Sequence, residues 1–145
     1  MTNRDQFLDN ARVAVVGASN NKRKFGYTIY RTLKAKDFPV VPVNPNTTTI
    51  DSDTAYPRLT DIPHDIQAAI IVVQPDKAIQ AVHDAKAKGI TRLWFQQGAD
   101  FSEAEQLARE SGIDTASGKC ILMYAKPVNG IHAVHRFLVR LFGQV

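Results

Sequence analysis

Cysteine is almost missing: Cys120 is the only one in 145 residues. A single thiol excludes an internal disulfide and any zinc site built from several cysteines. Long apolar runs are missing as well, and no stretch approaches the roughly 18 residues that a membrane-spanning helix needs. The N-terminal Met1–Asn10 segment is polar and of mixed charge, which fits neither a signal peptide nor a transit peptide. No charge sign dominates: 18 Lys and Arg stand against 14 Asp and Glu, a formal net charge of +4. Basic blocks interleaved with aromatic residues, the mark of single-strand nucleic-acid binders, do not occur. What is present is a chain with 44% hydrophobic residues, too apolar to stay disordered. The expectation is one soluble domain of the cytoplasm, its core at about 10–122.

Short β-branched apolar runs alternate with longer segments of helical period. This pattern predicts βαβ units, hence an α/β doubly wound Rossmann-like domain with a mostly parallel five-stranded sheet and helices on both faces. The strands are expected at 12–16, 40–43, 69–73, 91–95 and 113–116. Pro42 shortens the second of these, because it donates no N–H. Helices are expected at about 26–36, 74–88 and 102–111, with Gly89 as a left-handed cap and Ser102 as an N-cap. Residues 46–65, rich in Thr, Asp and Pro, read as an irregular excursion. A last helix is expected at about 129–142, where Ile131, Val134, His135, Leu138, Leu141 and Phe142 form a stripe. It packs on the domain or on a second copy, which makes a homodimer possible. Right-handed crossovers suggest the strand order 3-2-1-4-5.

Ligands of such sheets bind at the carboxyl ends of the strands, which singles out the segments that follow them. In Gly17-Ala18-Ser19, Gly17 permits a sharp turn and Ser19 offers a hydroxyl. Gly26 opens the next helix, where free N–H groups and the dipole favour an anion. Lys22, Arg23 and Lys24 add positive charge. The segment is neither G-x-G-x-x-G nor a Walker A loop. After the second strand stands Asn44-Pro45-Asn46, without the carboxylate that usually holds the ribose hydroxyls of NAD. That loop reads equally as a plain turn or as a site tolerant of a phosphorylated ribose. Val73, Gln74 and Pro75 combine helix initiation with a possible cleft wall, as Gln96 and Gly98 combine a loop with one. Catalytic signals are weak. His132 and His135 lack an acid or cysteine at ligand spacing, and Gly17-Ala18-Ser19 is no nucleophile elbow. Cys120 reads as a small buried residue, or as a thiol facing the cleft with Lys119 favouring its thiolate.

Together, Val-Gly-Ala-Ser at 16–19, Lys24, Gly26, Pro42-Val43-Asn44-Pro45, Trp94–Gly98 and Cys120 resemble the small CoA-binding proteins. Their domain is similar to the N-terminal Rossmann domain of the succinyl-CoA synthetase α subunit, over about residues 10 to 122. The resemblance implies CoA or acyl-CoA as the ligand. It places the phosphates at Gly17, Ala18, Ser19 and Lys24, and the adenosine at Asn44 and Pro45. The pantetheine arm would lie along Val73, Gln74, Pro75, Gln96 and Gly98. The second domain, which carries the synthetase's phosphohistidine, has no counterpart here, so that chemistry is not implied. The expected function is therefore non-catalytic binding of a small-molecule nucleotide, with no nucleic acid, membrane or metal involved. An NAD(P)-binding oxidoreductase or redox sensor, and a dimerising module with a vestigial cleft, are the alternatives.

Overall fold

Strand β1, Val13–Val16, is buried along its whole length, as a strand covered on both faces must be. Helix α1 (Phe25–Ala35) follows it, then β2 (Val40–Val43). These elements belong to a computed structural model that describes residues 6–9 and 11–125. The expected helix at 129–142, with His132 and His135, lies outside the described residues. Further along come β5 (Ala68–Ile71), α2 (Pro75–Lys88), β6 (Arg92–Phe95), α3 (Ser102–Glu110) and β7 (Asp114–Ser117). The main sheet is wholly parallel, in the order β2-β1-β5-β6-β7.

This order corrects the expected one. Counting only the strands of the main sheet, it is 2-1-3-4-5, so the third strand, not the fourth, lies beside the first. The reason is in the chain between β2 and β5. It buries Leu59, Ile62 and Ile66 in the same core cluster as Val82 and Ala85 of α2. The excursion thereby does the covering work of a crossover helix and delivers the chain to the free side of β1.

The excursion is also more regular than expected. Thr49–Ile50 (β3) and Asp53–Thr54 (β4) form an antiparallel hairpin, and Leu59–Asp61 is a 3-10 turn. Asp51 and Ser52 both have positive φ (51° and 68°), the backbone that two-residue hairpin loops require. Tyr30 and Lys34 of α1 hold the hairpin down through Asp53 and Asp51. Gly89 caps α2 in the left-handed conformation, as expected. Ser102 is not the N-cap of α3. It is the helix's first residue, and Asp100 Oδ1 accepts its N–H at 3.0 Å.

Alternation along the strands divides the core in two. Ala14, Val16, Ala69, Ile71, Leu93 and Phe95 face α2, α3 and the excursion. Val13, Val15, Ala68, Ile70 and Trp94 face α1. Each large side chain buried this way contributes about 1.5–3 kcal/mol. Among the described residues no helix is long and apolar enough to cross a membrane.

Candidate functional site

The strand register sets the geometry of the site. Val16 pairs with Val43 and Ile71, Ile71 with Phe95, and Phe95 with Ser117. The strands therefore end at one level, and the loops leaving β1, β2, β5 and β6 line a single cleft of about 660 Å³. Its walls include ten of the expected residues: Gly17, Ser19, Lys24, Gly26, Asn44, Pro45, Val73, Gln74, Gln96 and Gly98.

Three expected residues are not on its walls. Ala18 is fully buried in the core cluster on the α1 side, and only its carbonyl matters here. Pro75 opens α2 at the first helical position, where its missing N–H costs nothing. Cys120 is buried and leads into the 3-10 turn Ile121–Met123, which favours the small-buried-residue reading of its thiol.

Gly17 makes the sharp turn expected of it and Gly26 stands in the first turn of α1, and both sit against backbone. Gly17 has φ +104°, and a Cβ there would lie 2.3 Å from the Val72 carbonyl oxygen at the end of β5. A Cβ on Gly26 would lie 1.9 Å from the Gly17 oxygen. These glycines leave room for neighbouring backbone rather than for a ligand. The result is that α1 starts directly against the β1 turn. Lys24, Phe25 and Gly26 all border the cleft. The Lys24 N–H donates to Asn21 O at 3.0 Å, but the N–H groups of Phe25 and Gly26, in the first turn of α1, have no intrahelical acceptors. That positions them, with the helix dipole, for an anion. Ser19 Oγ accepts the Asn21 N–H at 3.0 Å, which keeps the loop tight. Lys22 and Arg23 are exposed and do not line the cleft.

Asn44 works as a cross-tie. Its Nδ2 donates to the Ala18 carbonyl at 2.9 Å, and its Oδ1 accepts the Asn46 N–H at 2.7 Å. Its backbone N–H donates to Tyr56 O. The side chain binds the first loop to the second and has both ends engaged.

Several lining residues escaped sequence reasoning. Phe25, half exposed, stands at the cleft's edge. Lys77, Gln80 and Asp84 come from one side of α2, and Arg58 faces them from the excursion. Their signal was a polar stripe at 77, 80 and 84, which the period alone assigns to solvent. Asp84 is only 5% exposed. Arg58 Nε donates to its Oδ2 at 3.0 Å, a second guanidinium N–H donates to Oδ1, and Gln80 Nε2 donates to Oδ1 at 2.9 Å. Burial pushes the Asp84 carboxyl up, but the bonds from Arg58 and Gln80 and the Arg58 charge outweigh it. The group stays below the usual carboxylate range. At the next strand tip Gln96, 3% exposed, accepts the Ile121 N–H through Oε1, while its Nε2 lacks a partner among the described residues. Those residues hold no cluster of three metal-ligating side chains.

The pattern of the CoA-binding domain matches residues 11–126. The chain belongs to the CoA-binding domain family. This CoA-binding domain is 33% identical over 87 residues to the alpha subunit of ADP-forming acetate–CoA ligase II of Pyrococcus furiosus, covering 59% of this chain and 19% of the ligase subunit. Against the ADP-forming acetate–CoA ligase II of Archaeoglobus fulgidus the identity is 37% over 89 residues, 60% of this chain and 13% of the ligase. The match thus spans less than a fifth of either ligase. Among solved structures, a conserved hypothetical protein of Pyrococcus furiosus shares 35% identity at a TM-score of 0.73, over 77% of this chain and 97% of the other.

Proposed function

We propose that the cleft holds CoA or an acyl-CoA and carries out no chemistry of its own. The observation that carries this reading is the joining of the β1 turn to the α1 start, with Lys24 beside it, at one end of a cleft of about 660 Å³. That volume lies within the range of small-molecule sites. The turn, the helix start and Lys24 would hold the phosphates. The loops after β5 and β6 would hold the pantetheine arm, with Gln96 Nε2 as a spare donor beside it. A binding role fits the chemistry of the lining. Its ionisable side chains are Lys24, Arg58, Lys77 and Asp84, and the one carboxylate among them is tied by three hydrogen bonds. NAD is less well served, because Asn44 stands where the ribose hydroxyls would meet a carboxylate. Isothermal titration of the full chain with CoA and with NAD tests the reading. CoA binding well ahead of NAD is expected. No heat with CoA at millimolar concentration overturns it, and equal affinities transfer the site to NAD(P).

A further inference from the structure

We infer that Arg58 selects for a phosphate on the ligand's ribose; the inference rests on the CoA reading above. Tyr56 lies alongside the last residue of β2: its N–H donates to Pro42 O at 3.1 Å and its carbonyl accepts the Asn44 N–H at 2.9 Å. Arg58, two residues further on, therefore emerges at the tip of β2 beside the Asn44–Asn46 loop. In sheets of this type that tip is where the ribose is read. Asn44 is poorly equipped for the reading, because its Oδ1 and one Nδ2–H are engaged within the protein and only a single uncharged N–H is left.

Arg58 suits the task. Its side chain is 55% exposed while that of its partner Asp84 is 7% exposed, so a buried carboxylate anchors a guanidinium that lines the cleft. Asp84 takes two of the five guanidinium N–H groups, and three remain. The plane is fixed by the two bonds, which suits bidentate recognition of a phosphate. Lys77 on the same wall leaves that side of the cleft with two positive charges against one negative. A pair present for stability alone would gain little from such exposure.

The test is titration calorimetry of the wild-type chain, Arg58→Ala, and Arg58→Ala with Asp84→Ala, each against CoA and dephospho-CoA. The double variant leaves no unpaired buried charge. Wild type is expected to prefer CoA by about tenfold or more, the loss typical of charge-assisted bonds to a phosphate. Both variants are expected to bind the two ligands equally, at the wild-type affinity for dephospho-CoA, which also shows that they fold. Variants that keep the preference, or that lose both ligands in parallel, overturn the assignment of Arg58. A wild type that binds no CoA overturns instead the reading beneath it.

Discussion

Replacing Gly26 by Ala sets two effects against each other. Inside a helix, Ala is favoured over Gly by about 1 kcal/mol, so α1 alone would gain. The added Cβ, however, would lie 1.9 Å from the Gly17 carbonyl oxygen and 2.8 Å from its carbon. Both are backbone atoms, so no side chain can swing aside. Overpacking of this kind costs about 1–3 kcal/mol, and so close an approach to backbone belongs at the upper end. The net expectation is a loss of about 2 kcal/mol. For a domain of this size 1 kcal/mol moves Tm by about 2–4 °C, so calorimetry should show a fall of about 4–8 °C. The clash is relieved by moving the start of α1 off the β1 turn, so CoA affinity should fall further than the unfolded fraction explains. An unchanged or raised Tm would refute the close approach. A lowered Tm with full CoA affinity would remove the helix start from the site.

Lys24→Ala should weaken CoA roughly tenfold in titration calorimetry while leaving Tm nearly unchanged, since an exposed lysine contributes little to stability; an unaltered affinity would place the phosphates elsewhere. Acid should destabilise the domain. Burial pushes the Asp84 and Asp53 carboxyls up, but hydrogen bonds and nearby cations hold both below the ordinary value. Their stabilisation is then complete above the unfolded carboxylate value near ~4 and is lost as pH falls through the lower folded values. The urea midpoint should drop between pH 5 and pH 2, and in Asp84→Asn the drop should be shallower; a wild-type midpoint flat over that range would refute it.

The inner strands of the sheet were legible as apolar runs, as in Ala69-Ile70-Ile71, whereas the edge strand β7, Asp114–Ser117, is largely polar and is betrayed only by its place after α3. The strand order was not legible, because nothing local in β5 says on which side of β1 it lies. The decision is made by Leu59, Ile62 and Ile66, whose burial depends on α2. The hairpin was hidden because its strands are two residues each and its turn is Asp51-Ser52 rather than a glycine pair. For the site, the loops after the strands were legible from the general geometry of doubly wound sheets. Arg58 and Asp84 were not, since one sits in a segment without period and the other looks like any polar position on a helix. The turn at Gly17 and the helix start at Gly26 were legible, but not the carbonyl oxygens of Val72 and Gly17 that lie against them, since those come from elsewhere in the chain.

The shared level of the strand ends limits where the chain can change length. A residue added within β1, β5 or β6 would raise a step in the cleft floor and turn every following side chain to the opposite face of the sheet. One added at the Asp51-Ser52 turn would lengthen the hairpin tip and disturb its ion pair with Lys34, but would leave the register of the main sheet as it is. Added residues are thus better accommodated at the hairpin turn than in the strands, or in the stretch through Arg58, Leu59, Ile62 and Ile66 that lines the cleft and fills the core.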